Sequence, residues 1–163
     1  MKQSKSNASR FLKYWVLFFM LFTSALVAVF AQKDIPKSVM IKKYASTDSK
    51  FMPIMGMKVH YRDQGNPSDS IPLVLIHGTS SSLHTWEKLT SILNQAEYGN
   101  KRVISLDMPA FGLTGPNPEN KYSYENYTQV IDSLLIKLNV KSCIIGGNSL
   151  GGGIAWHYAV SYK

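Results

Sequence analysis

Residues 146–153 read Gly146-Gly147-Asn148-Ser149-Leu150-Gly151-Gly152-Gly153, a hydroxyl side chain set among glycines. Gly147, Ser149 and Gly151 form the pattern Gly-x-Ser-x-Gly. A serine hydroxyl is a weak nucleophile until a base takes its proton, so position decides whether it reacts. An apolar run precedes this serine and an apolar-periodic stretch follows it. Such a context predicts a sharp strand-to-helix turn with the hydroxyl raised at its tip. Glycines two before and two after let strand and helix approach without Cβ clashes. The helix amides then point at the reacting centre and favour a developing oxyanion. A glycine-rich turn of this kind also suits phosphate binding. This one lacks the lysine of a P-loop and the spacing of the dinucleotide fingerprint. Ser149 is therefore the candidate nucleophile.

A serine nucleophile needs a base, and the chain has four histidines. His60 falls in an early strand and His84 in a loop. His157 lies two helical turns past Ser149 and faces away from it. His77 closes the apolar run Leu73-Val-Leu-Ile76, followed at once by Gly78. None is assigned as the base. Asp107 heads the segment Asp107-Met-Pro-Ala-Phe-Gly112-Leu-Thr114 and is expected to brace its loop rather than act as the catalytic acid. Cys143 is the single cysteine, which excludes an intramolecular disulfide. Its apolar surroundings mark it as a small buried hydrophobe. No metal site and no cofactor are expected.

These residues require a scaffold. Met57–Arg62 alternates apolar and polar residues, as a half-exposed strand does. Leu73–Ile76 and Arg102–Leu106 read as strands, the first of them buried, and Ser142–Gly146 as a short buried one. Trp86, Leu89, Ile92 and Leu93 share one helical face. Tyr124, Tyr127, Ile131, Leu134 and Leu138 recur at three and four residues, with Ser123 as N-cap. Leu150, Ile154, Ala155, Tyr158 and Ala159 mark a last helix. Strands alternating with helices predict a mainly parallel α/β sheet.

In this order the motifs resemble those of the α/β-hydrolase family. His77-Gly78 follows the third strand, the Asp107–Thr114 segment the fourth, and the serine turn the fifth. The resemblance covers about residues 55–163 and implies an N-terminal, partial α/β-hydrolase sheet of about five strands. It places one oxyanion amide on Thr79 and the other on Leu150, both backbone donors. It makes His77 a structural residue below the oxyanion loop. In the family the acid and the histidine follow the serine on later loops, which lie beyond Lys163. The expectation is thus a fragment whose Ser149 is inactive by itself and whose fifth strand is left as a sheet edge.

The net charge of +8 is local. Residues 1–13 carry four bases and no acid, residues 14–64 seven bases against three acids, and the remainder is balanced. The excess flanks an apolar run, Tyr14–Ala31, and no basic stripe coincides with a nucleic-acid motif, so nucleic acid is not an expected partner. As a helix this run would span about 27 Å, close to a hydrocarbon core. With Lys2, Lys5, Arg10 and Lys13 ahead of it, the N-terminus stays cytoplasmic and the rest crosses. The layout is a basic tail (1–13), a transmembrane anchor or signal segment (14–31), a linker (32–50) with a short helix near Ser38–Ala45, and the hydrolase domain (51–163). A retained anchor leaves the domain on the exported side. Cleavage after Val29-Phe30-Ala31 would secrete it.

The function expected is a membrane-anchored serine hydrolase acting on an ester or related acyl bond of a small molecule. Serine at the turn argues against the dehalogenase and epoxide-hydrolase branches, which place aspartate there. Asn148 before the serine also resembles carbon–carbon bond hydrolases, but Thr79-Ser-Ser-Ser82 departs from their second glycine-rich element. A non-catalytic membrane-tethered remnant is the third reading.

Overall fold

The computed structural model describes residues 2–31 and 34–162 and divides the chain into two compact units, Met1–Pro36 and Lys37–Lys163. Gln32 and Lys33 of the expected linker lie outside the described residues.

The first unit is one helix, α1 (Lys2–Phe30), 29 residues long. Within it Ser9–Phe30 is long and apolar enough to cross a membrane. One polar residue within it is satisfied internally, because the Thr23 hydroxyl donates to the carbonyls of Phe19 and Met20. That back-bonding removes the cost of carrying a hydroxyl into an apolar medium. Phe11, Trp15, Phe18 and Phe22 meet in succession along one side of the helix.

The second unit opens with α2 (Lys37–Tyr44), inside the stretch expected to be a linker. The helix was anticipated, but its attachment was not. Lys37 Nζ donates to the Thr114 carbonyl at 3.1 Å, and His84 Nε2 lies 3.0 Å from the Tyr44 carbonyl, so α2 belongs to the domain. Five strands follow: β1 (Lys50–Ile54), β2 (Met57–Gln64), β3 (Leu73–Ile76), β4 (Val103–Leu106) and β5 (Ile144–Gly147). Their order across the sheet is β1-β2-β4-β3-β5. The sheet expected to be mainly parallel is mixed, with two antiparallel and two parallel pairings. β1 and β2 form an antiparallel hairpin and β2 runs antiparallel to β4, while β3 is parallel to both β4 and β5. The two-residue hairpin turn explains β1, the strand the sequence reading lacked. Met55 and Gly56 both take positive φ (47° and 76°), which matches the twist of the strands they join.

The helices α3 (Glu87–Leu93), α4 (Tyr124–Lys137) and α5 (Leu150–Ser161) complete the fold. Ser123 caps α4 by accepting from the Asn126 amide. Val130, Ile131 and Leu134 of α4 pack with Ile154 of α5 and with Val74, Ile76, Ile104 and Leu106 of the sheet. Two expectations about faces are corrected. In β2 both His60 and Arg62 are buried, because this strand lies between β1 and β4 and both positions find polar partners. In α3 Leu89 and Ile92 are exposed and Thr90 is the buried residue, since the two-turn helix presents that edge inward. β5 ends the sheet with Ile144 exposed and Cys143 and Ile145 half-buried, so its outer edge offers unpaired backbone groups.

The core should respond accordingly. Leu134, fully buried, is expected to cost about 2–5 kcal/mol when changed to alanine, by lost transfer energy and the cavity left behind. Ile136 on the same helix is 68% exposed, and its alanine variant should stay within about 0.5 kcal/mol of the parent. Urea unfolding of the two variants measures the contrast, and similar losses would mean that α4 packs by another face.

Candidate active site

The parallel strands β3, β4 and β5 bring three loops to their carboxyl ends. Two residues, Asn148 and Ser149, link β5 to α5. Ser149 is exposed, with φ 52° and ψ −118°, a conformation that costs a non-glycine residue about 1–3 kcal/mol. Its surroundings enforce that conformation. The Asn148 amide donates to the Ile76 carbonyl at 3.1 Å, tying the turn to the end of β3. The amides of Gly152 and Gly153 both donate to the Ser149 carbonyl. A Cβ on Gly147 would overlap the Gly151 carbonyl, and a Cβ on Gly151 would overlap that of Ile76. Strand, turn and helix therefore close only with glycine at both positions.

The loop after β3 runs directly beside this turn. A Cβ built on Gly78 would sit 3.3 Å from the Ser149 Cβ. Thr79 follows Gly78, and Leu150, as the first residue of α5, has an amide without an intrahelical acceptor. His77 is fully buried beneath this loop. Its Nδ1 donates to the Gly78 carbonyl at 2.7 Å and its Nε2 accepts from the Met108 amide at 3.1 Å. One neutral tautomer satisfies both bonds, and burial holds the imidazole below its ordinary pKa. With both nitrogens spent on backbone, His77 joins the β3 loop to the β4 loop.

Asp107 begins the β4 loop and is also fully buried. Oδ1 accepts from the Leu83 amide at 2.7 Å. Oδ2 accepts from the Leu113 amide and from His60 Nδ1, each at 2.7 Å. Burial alone would raise this carboxyl, but the hydrogen bonds from His60, Leu113 and Leu83 outweigh it and hold the group below the usual carboxylate range. Thr114 Oγ1 donates to the Asp107 carbonyl and accepts from the His60 amide. His60 is the residue the sequence reading missed. The sequence alternates regularly through Val59, His60 and Tyr61 and so marks His60 as outward-facing; only the structure shows it buried.

The remaining histidines are also engaged elsewhere. His84 contacts Ser82, Arg62 and Tyr44, while His157 lies 3.4 Å from Glu125 and stacks on Tyr124. Among the described residues, no histidine is hydrogen-bonded to Ser149. A cavity of about 750 Å³ lies against Cys143, Ile145, Tyr158 and Tyr162, away from the serine turn. Another, of about 320 Å³, lies between α2 and the β4 loop, where Met40, Tyr44 and Leu113 line it.

A family model described as the alpha/beta hydrolase fold matches residues 71–163, which contain all three loops. The chain belongs to the α/β-hydrolase family. Among curated relatives, a proline iminopeptidase from Lactobacillus crispatus is 32% identical over 114 residues, 68% of this chain and 38% of the relative. A haloalkane dehalogenase from Psychrobacter cryohalolentis is 32% identical over 97 residues, 59% of this chain and 31% of the relative. Among solved structures, the Cif epoxide hydrolase from Acinetobacter nosocomialis superposes with a TM-score of 0.61 at 27% identity, covering 80% of this chain and 43% of that one. A membrane phospholipase A gives a TM-score of 0.63 at 23% identity, covering 94% of this chain and 48% of that one, a likeness of fold. The chain spans about a third of the length of such curated relatives, from 31% to 38%.

The buried pair of loop braces predicts an acid-sensitive domain. Both groups have folded pKa values below their unfolded ones, so each contributes stability that is present above its unfolded value and lost as pH falls. The loss should begin below about pH 6.5 as His77 is forced to charge, and steepen below about pH 4 as Asp107 protonates. Urea midpoints between pH 8 and 3 measure this, and Asp107→Asn should be less stable at pH 7 with a flatter lower limb. An unchanged limb in that variant would mean that the carboxylate is not the titrating brace.

Proposed function

We propose that this chain carries the nucleophile of a serine hydrolase that cleaves an ester or related acyl bond of a small molecule, with Ser149 as the attacking residue. The observation that carries the reading is the strained, exposed Ser149 in the two-residue link between β5 and α5. Strain at a reactive side chain persists only where the surrounding structure enforces it, as Gly147 and Gly151 do here. In this reading the amides of Thr79 and Leu150 receive the developing oxyanion, and His77 and Asp107 hold the loops that aim them. Serine at the turn favours acyl transfer over the haloalkane and epoxide chemistries named for some relatives. Among the described residues no histidine is hydrogen-bonded to Ser149, and in this reading none of the four serves as its base.

We also propose that α1 anchors the domain in a membrane, with the second unit on the exported side. The apolar length of Ser9–Phe30, its internally bonded Thr23 and the four bases of residues 1–13 support this reading.

In the whole protein, a fluorophosphonate should label Ser149, and Ser149→Ala should lower ester turnover by several orders of magnitude. Labelling confined to another serine, or full turnover in the variant, rejects the assignment. The 163-residue chain alone should show at most residual Ser149-dependent hydrolysis of p-nitrophenyl acetate, because no imidazole accepts the hydroxyl proton. Ser149-dependent turnover at about 1–10³ s⁻¹ would show that a base is present after all. Carbonate extraction followed by N-terminal sequencing tests the anchor. A membrane-retained chain with its N-terminus intact is expected, whereas a soluble product beginning at Gln32 would establish a cleaved signal.

A further inference from the structure

Away from the serine turn, three side chains from separate segments meet in line. Ser49 lies just before β1, His60 on β2 and Asp107 after β4. Asp107 Oδ2 is 2.7 Å from His60 Nδ1, and His60 Nε2 is 2.8 Å from Ser49 Oγ. The carboxylate and the imidazole are fully buried, while Ser49 at the outer end is only half-buried. Phe51 stacks on the imidazole, centroids 5.0 Å apart and planes 28° from parallel, which restrains the ring. Since Nδ1 faces a carboxylate, it carries a proton, and in the neutral ring Nε2 presents a lone pair to the Ser49 hydroxyl. Carboxylate to Nδ1 and Nε2 to hydroxyl is the connectivity by which an imidazole serves as general base for a serine. Ser49 Oγ also accepts from the Ser46 amide at 3.0 Å, which leaves one of its two lone pairs free for attack.

We propose that Ser49, His60 and Asp107 form a second reactive-serine site, in which Ser49 takes up an acyl, sulfonyl or phosphonyl group from a compact activated donor. Ser49 Oγ bonds to the electrophilic centre, and the leaving group departs with the electrons of its bond. The hydroxyl proton passes to His60 Nε2, the Asp107 carboxylate balances the imidazolium, and His60 then hands that proton to the departing group and is neutral again. For an acyl group, water then attacks the ester with its proton taken by His60, and Ser49 recovers a proton as the acid is released. The donor is compact because Ser49 closes a tight turn, its amide donating to the Ser46 carbonyl at 3.1 Å.

The test uses the 163-residue chain carrying Ser149→Ala in detergent, treated with phenylmethylsulfonyl fluoride and mapped by peptide mass spectrometry. Ser46, three residues away on the same turn and without an imidazole, is the internal reference. Ser49 should be sulfonylated about a hundredfold faster than Ser46, the low end of what a positioned general base contributes. The preference should disappear in guanidinium and in a folded His60→Asn chain. Equal modification of Ser49 and Ser46 overturns the proposal, as does a preference that survives unfolding or loss of the imidazole. The Ser149 peptide is read separately in the parent chain, so the two serine assignments stand or fall independently.

Discussion

Placing an ionised carboxylate where solvent has no access costs several kcal/mol unless every lone pair finds a donor. Asp107 meets that demand with amides from two loops and the imidazole of a third segment. The same bonds set the geometry at the carboxyl end of the sheet. Leu83 belongs to the segment that continues the β3 loop, Leu113 to the β4 loop, and His60 to the antiparallel strand beside β4. Removing the charge would leave three donors facing a group that can no longer accept from all of them. The loops near Ser149 share this constraint, alongside the buried apolar contacts of Leu83, Met108 and Leu113.

His77 applies the same principle one strand further on. Its two nitrogens bond to the backbone of two loops, and burial keeps it neutral. The ring therefore acts as a spacer of fixed length between β3 and β4, and a charged ring would lose the acceptor that Met108 requires. These two braces surround a turn that is itself strained at Ser149. The energy stored there is supplied by the packing of α5 against β3 and β5, where glycine permits contact at backbone distance.

The two units place their apolar residues differently. In α1 the large residues from Phe11 to Phe30 are exposed, which suits a lipid environment. In the second unit the apolar residues of α4, α5 and the sheet turn inward on one another. The net positive charge is shared equally, with +4 on residues 1–36 and +4 on residues 37–163.

Much of this was legible in the residues themselves. Gly147, Ser149 and Gly151 determine a close strand-to-helix turn because any Cβ at the glycine positions meets backbone. The three-and-four spacing from Tyr127 to Leu134 determines the buried face of α4, and the apolar run from Tyr14 to Ala31 marks a long apolar helix. Local periodicity carries such information, since it depends on neighbours in the chain. The hairpin that makes the sheet mixed was hidden because Met55 and Gly56 signal a turn only weakly and Pro53 obscures the strand before it. The docking of α2 and the burial of Arg62 and Thr90 depend on what another segment presents to them. Ser49, His60 and Asp107 are 11 and 47 residues apart in the chain. No spacing rule links them, and only the pairing of β2 with β4 brings the imidazole to the carboxylate.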